Sequence, residues 1–429
     1  MATPATMPTS VGPIRPETSR GARAGWAVSG AVAGAPAAGG SSGNGSGSVM
    51  GAGRGGAQDT ARPRRPGERR APLAIGADAP PDPPVPQPPA RPAVLAALCG
   101  LALSACAGDG RQPLLVYSPH GKEMLQEYEA AFEAENPTVD VQWIDLGSQE
   151  VYDRIAGERA NPQASVWWGA PQTLFMRAAE DGLLQPFEPS WADAVPASAR
   201  DADGRWWGTF LTPEGVLYNT EAVPEGDVPA DWDALLDPRW NGRVLIRSPL
   251  ESGTMRTIWG ALILRQPTVE EGYRWLARLD QNTKGYAANP TQLYLQIARG
   301  EADLTLWNLP DTYLQAQAQP FGFHAPDSGT PVLVDAVGIP EGAPAPDVAR
   351  RFVEFVTTPE ALVRQAEAYH RIPARTDIDA ARLPAWMGEG TFVPMDLDWD
   401  RLAADGPEWM QHWDERIKGR GAAYLAETE

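Results

Sequence analysis

Apolar residues fall along this chain in two kinds of spacing, and a regular exchange between the two begins only near residue 113. Leu114-Leu115-Val116-Tyr117 is a continuous apolar run that predicts a buried strand, after which Leu125, Tyr128 and Phe132 recur at helical spacing. Val139–Ile144 alternates apolar and polar positions as a second strand does; Val151 and Ile155 mark a helix, Ser165–Trp168 a strand, and Leu174–Ala179 another helix. The pattern returns with a strand at Arg243–Ile246, helices at Thr254–Leu264 and Glu270–Leu279, strands at Ala302–Trp307 and Val332–Ile339, and a helix at Val348–Phe355. Such alternation predicts an α/β architecture with helices on both faces of a sheet. About 320 residues are too many for one core of this kind, so two α/β lobes are predicted.

Upstream the texture is different. Residues 1–91 are dominated by Ala, Gly, Pro and Ser and bury too little apolar surface to offset their ordering entropy. They are expected to be disordered, or to precede the true start of translation. Val94–Ala107 is almost wholly apolar but shorter than the ~20 residues a membrane-crossing helix needs. Arg91 precedes it and small residues close it, the layout of a secretory signal. Leu103-Ser104-Ala105-Cys106 resembles a bacterial lipobox. That resemblance implies that the Cys106 thiol takes a lipid and becomes the first residue after cleavage, with Gly108-Asp109-Gly110 opening the tether. A buried helix is the competing reading, and it lacks an amphipathic stripe. The long stretch before the signal leaves two readings open: a start codon farther downstream (Val85 is one), or a long disordered extension.

Charge divides at the same place. Residues 1–105 hold ten Lys and Arg against five Asp and Glu, which leaves 26 basic and 50 acidic residues from Cys106 onward. A body that acidic is not expected to bind nucleic acid, which needs basic patches for phosphate contacts. The two cysteines, Cys99 and Cys106, both fall in the apolar run, with no histidine nearby to complete a zinc set.

From residue 113 to 375 the chain resembles the bacterial extracellular solute-binding proteins of ABC importers, closest to the subclass for ferric iron, thiamine, phosphonates and sugar phosphates. The resemblance rests on Leu114-Leu115-Val116-Tyr117-Ser118, Ala164-Ser165-Val166-Trp167-Trp168-Gly169, Phe175 to Leu184, Tyr218-Asn219-Thr220, Trp232 to Gly242, and Pro249-Leu250-Glu251-Ser252-Gly253-Thr254. Each motif is weak alone, and their order is specific. Ser165 stands where that family often has an acid. The resemblance implies a two-lobed periplasmic-binding-protein-like fold of type II, with hinge crossings and a central ligand cleft that closes on its solute. The division expected is 107–212 with 331–429 as lobe 1 and 213–330 as lobe 2, after a lipoprotein signal at 92–106.

In open α/β sheets ligands sit beyond the carboxyl ends of strands, at loops that open helices. Four such loops stand out, at 118–121, 169–173, 252–254 and 289–292. Helix N-termini offer unpaired N–H groups to anions, so Ser118, Ser252, Gly253, Thr254 and Asn289 are candidate ligand contacts. Simple helix capping is the competing account for Ser, Thr and Asn there. Trp167 and Trp168 face opposite sides of their strand; Trp168, nearer the strand end, is the better candidate for the cleft, with core packing the alternative for both. Trp206 and Trp207 pose the same choice. Asp335 in an apolar strand is costly unless paired, and is expected to meet a ligand hydroxyl or amine or to cap a loop. His120 stands where ferric-binding relatives can place a metal ligand, but the paired tyrosines of those relatives are missing, so iron is disfavoured and neither metal nor cofactor is expected.

A secreted hydrolase is the main rival. No G-x-S-x-G, S-x-x-K or H-E-x-x-H occurs, so no catalytic residue is named and no enzyme is expected. Asp396-Leu397-Asp398-Trp399-Asp400 opens like a calcium loop, yet Arg401 and Pro407 stand where Gly and Glu are required; an acidic solvated tail is expected. A lipoprotein that docks a sensor protein is the third reading. The expectation is therefore an extracytoplasmic, lipid-anchored monomer, in the periplasm or on the outer face of the cytoplasmic membrane. It captures a small ligand, best a phosphate ester or phosphonate, and delivers it to an ABC permease.

Overall fold

The first apolar run becomes β1 (Gln112–Ser118), with Leu114, Val116 and Tyr117 buried. The computed structural model describes residues 110–388 and 392–428, so residues 1–91, the signal at 92–106 and Cys106 lie outside the described residues. Next come α1 (Lys122–Glu135), β2 (Val139–Asp145), α2 (Ser148–Gly157), β3 (Val166–Pro171) and α3 (Gln172–Glu180). Strands β2, β1 and β3 pair in parallel, as strands joined by crossover helices must. All six residues of β3 are buried. Helices cover both of its faces, which is why the strand reads as a continuous apolar run rather than an alternating one.

After β4 (Leu184–Gln185) a long strand, β5 (Trp206–Asn219), leads into the second lobe. That lobe holds β6 (Val244–Arg247), α4 (Gly253–Leu264), α5 (Val269–Asn282), β7 (Thr283–Ala287), α6 (Pro290–Ala298), β8 (Leu304–Asn308), α7 (Leu309–Ala316) and β9 (Phe321–His324). The chain then returns through β10 (Val332–Pro340), α8 (Pro346–Val356), α9 (Pro359–Tyr369) and β11 (Ile372–Pro373). Strand order is β2-β1-β3-β10-β5-β8-β6-β7, with β4 beside β10 and with β9 and β11 beside β5.

β5 is the hinge strand. Its first half pairs antiparallel with β10 as far as Pro213↔Val332, and its second half pairs with β8 from Glu214↔Asn308 onward. Proline cannot donate to a ladder, and Pro213 stands where one ladder gives way to the other. A second crossing runs from β9 back to β10. A third follows β11, where Met395 N–H donates to the Thr330 carbonyl at 2.8 Å.

Two apolar clusters sandwich the first lobe's strands, one with α1 and α8, the other with α2 and α3. The second lobe has a single large cluster. The C-terminal residues correct the sequence reading twice. Asp398, placed in a solvated tail, instead caps α10 (Trp399–His412), its carboxylate accepting from Arg401 N–H at 2.9 Å. Residues 399–428, assigned wholly to lobe 1, send Trp409, Met410, Trp413, Ile417 and Tyr424 into the second lobe's core. α10 also touches α3 of the first lobe. Apolar burial outweighs the acidity of the stretch, because Asp400, Glu408, Glu415 and Glu427 stay exposed while the apolar side chains turn inward.

Candidate functional site

The two lobes meet through the loops that open their helices. Gly253, the first residue of α4, lies so close to β3 that a Cβ there would come within 2.7 Å of the Pro171 ring and 3.1 Å of Ser148. Gly147 is held as tightly, 3.0 Å being all that would separate its Cβ from the Glu251 carbonyl. Glycine at both positions lets backbone from one lobe approach backbone from the other. Loop 252–254 and loop 169–173 are thereby brought together.

At the end of β1, the Ser118 hydroxyl is fully buried and accepts from His120 N–H at 3.2 Å. The His120 ring lies edge-on to Trp168 at 5.3 Å and to Phe210 at 5.4 Å, and its Nε2 has no partner in the protein. Burial first, and the Arg371 charge second, push its pKa well below that of an ordinary histidine, so the ring is neutral. Gly169, at φ +94°, passes directly over this ring.

Asp335 is buried, accepts from Thr212 Oγ1 at 2.6 Å and from the Ala170 N–H, and lies within the field of Arg371. Burial raises its pKa more than these partners lower it. Arg371, just after α9, donates Nη2 to Asp311 at 3.1 Å, while its Nε is buried without a partner. Glu214, immediately past the hinge proline, is wholly buried, and neither of its carboxylate oxygens has a partner. Burial, then Asp335 and Asp311, raise its pKa well above the carboxylate range. In the second lobe Arg247, at the end of β6, is buried; Nη1 donates to Glu251 at 3.0 Å and Nε is unpartnered.

The candidates named from sequence thus divide. Ser118, His120 and Asp335 belong to one buried polar cluster at the lobe junction. Ser252 caps α4, accepting from Met255 N–H at 3.3 Å, and Gly253 and half-buried Thr254 complete the loop that meets the first lobe. Asn289 is exposed and its side chain caps α6, accepting from Gln292 N–H at 2.8 Å, as the capping account requires. Trp168 is fully buried in the first lobe's core, edge-on to Tyr128 and Phe352 as well as to His120. Trp167 stacks on Phe175 in the other cluster. Sequence reading missed Glu214, Arg371, Asp311 and Arg247. The one available signal was Glu214 itself, an acid within Phe210–Tyr218, a stretch rich in apolar residues. Among the described residues no group of three or more His, Cys, Asp or Glu gathers where it could hold a metal ion.

Two α/β lobes sharing a hinge strand, with buried and unsatisfied polar groups at their junction, define a two-lobed binding protein. The model of the bacterial extracellular solute-binding protein family matches residues 127–389, more than half of the chain, and the chain belongs to that family. It is 27% identical to a probable ABC transporter periplasmic-binding protein of Sinorhizobium fredii, covering 71% of this chain and 86% of the relative. It is likewise 27% identical to iron uptake protein A1 of Synechocystis, covering 71% and 88%, and 25% identical to a putative 2-aminoethylphosphonate-binding periplasmic protein of Salmonella typhimurium, covering 74% and 96%. The fold matches the periplasmic binding protein AfuA of Actinobacillus pleuropneumoniae, solved with fructose-6-phosphate, at a TM-score of 0.65 and 23% identity over 72% of this chain and 99% of the other. The fold is the type II periplasmic binding fold, and the protein is an extracytoplasmic solute-binding component rather than a member of an enzyme family.

Proposed function

We propose that the protein captures a small solute bearing a phosphate ester or phosphonate group between its lobes and hands it to an ABC permease. The observation that carries this reading is the pair of buried guanidinium nitrogens, Arg371 Nε and Arg247 Nε, which have no acceptor in the protein. Buried cationic donors are normally paired, and an oxyanion supplies the missing acceptors. The α4 N-terminus beside Arg247 adds N–H groups of the same polarity. The phosphonate named for the Salmonella relative and the sugar phosphate bound to AfuA accord with that chemistry.

A thermal-shift series with the full chain tests it, using ethylphosphonate, fructose-6-phosphate, thiamine, putrescine, glucose and ferric citrate. A phosphorylated or phosphonate ligand at a hundred times its Kd is expected to add about 2.7 kcal/mol to stability. A response to ferric citrate alone, or to the uncharged sugar alone, sinks the phosphate and phosphonate reading.

The proposal extends to placement. The protein acts as a monomer outside the cytoplasm, tethered by a lipid on Cys106, on the strength of the lipobox-like Leu103-Ser104-Ala105-Cys106. In a bacterial host, Cys106→Ser is expected to abolish metabolic labelling with a fatty acid and to move the protein from the membrane pellet to the soluble fraction. Unchanged labelling of the variant rejects the assignment.

A further inference from the structure

We infer that Glu214 anchors a protonated amine of the captured solute, so that the ligand class is an amine-bearing phosphate ester or phosphonate; the phosphorus half of this statement rests on the proposed function, the amine half on Glu214 alone.

Three carboxylates lie within one another's field at the junction, and two of them are satisfied by the protein. Asp335 has Thr212 and the Ala170 N–H. Asp311 accepts from Arg371 Nη2, from Asn308 Nδ2 at 3.0 Å and lies at the N-terminus of α7. Glu214 has nothing. Its backbone is paired, the N–H donating to the Pro331 carbonyl at 2.9 Å, yet both side-chain oxygens are buried and unpartnered. Protonation does not resolve this, because a neutral carboxyl in the same place has a hydroxyl with no acceptor and a carbonyl with no donor. What the site lacks is a group with several donors and a positive charge. An alkylammonium has both.

The surroundings select the same class. Burial first, and then the charges of Asp335 on β10 and Asp311 on α7, push the Glu214 pKa well above the carboxylate range, and Arg371 already donates to Asp311. Three acids facing one arginine leave an acidic subsite beside the unpartnered Arg371 Nε. A metal ion is the poorer occupant, since among the described residues no three His, Cys, Asp or Glu side chains gather closely enough to hold one. Glu214 also sits at the partner exchange of the hinge strand, between the β10 and β8 ladders, so a cation bound there touches the lobe junction.

The test uses two probes that differ by the amine, phosphoethanolamine and ethyl phosphate, titrated calorimetrically into the full chain and into Glu214→Gln. Wild type is expected to favour phosphoethanolamine by roughly tenfold to a hundredfold, the range of a charge-assisted hydrogen bond. Glu214→Gln is expected to bind the two equally. Ethyl phosphate binding as well as phosphoethanolamine to wild type, or an amine preference that survives in Glu214→Gln, overturns the amine site while leaving the phosphate reading standing. Binding of putrescine but of neither phosphate compound overturns the phosphate reading, and sensitivity of that binding to Glu214→Gln upholds the amine site.

Discussion

Replacing Gly169 with alanine is expected to destabilise the protein by about 3–5 kcal/mol, the sum of a left-handed backbone and an overpacked interior. Gly169 lies at φ +94° within β3, a conformation in which a Cβ meets the neighbouring carbonyl. The same Cβ is aimed into the imidazole of His120, which is hemmed in by Trp168 and Phe210 and has no room to retreat. Denaturant titration of Gly169→Ala measures the loss, which corresponds to a fall in Tm of about 10 °C for a chain of this size. The two causes separate in a second background. With His120→Ala already in place the steric part vanishes, and Gly169→Ala is expected to cost only the backbone part, about 1–2 kcal/mol. Strictly additive losses reject the clash as the cause.

That contact also marks how far the sequence could be read. Val166-Trp167-Trp168 is visibly a strand because helices cover both of its faces and every position is apolar. β5 is not visible. Its Thr209, Thr212, Pro213, Glu214 and Gly215 interrupt any apolar run, because the strand changes partner at Pro213 and its polar residues are buried rather than turned to solvent. The site follows the same logic. Ser252 and Asn289 were legible as helix openers, since capping is a local property of spacing. Glu214, Asp311 and Arg371 come from a hinge strand, a second-lobe helix and a first-lobe loop, and only the closed chain places them together. Trp168 left a choice between cleft and core because its position near the strand end fits either, and the helix packing that buries it is set by Tyr128 and Phe352, some 40 residues earlier and 180 later.

The C-terminal segment shows the opposite failure, a real element hidden by its composition. α10 contains Pro407 and opens with acids, so no helical stripe announces it. Its burial nonetheless makes Trp413 the site of the other large effect. Trp413 is fully buried, edge-on to Trp259 at 6.1 Å and to Tyr286 at 5.1 Å, while Leu402 lies so close to α4 that a Cβ on Gly260 would come within 2.8 Å of it. Asp280 holds the turn that follows, accepting from the Gly419 and Gly421 N–H groups at 2.8 Å each. Trp413→Ala therefore opens a cavity that the pinned backbone cannot close, and is expected to cost about 3–5 kcal/mol, the range for a large aromatic removed from a core. A chain ending at Asp398 loses this whole layer and leaves Trp259 and Tyr286 without the Trp413 ring that packs on them. It is expected to bind a hydrophobic dye and to aggregate. Because α10 lies against both α3 and α4, it joins the lobes, so Trp413→Ala also loosens a support that the hinge strand alone does not supply. Denaturant unfolding of Trp413→Ala decides the matter: a change within about 0.5 kcal/mol, the scale of an exposed substitution, shows that the segment is a solvated appendage and that its packing contributes nothing to the second lobe.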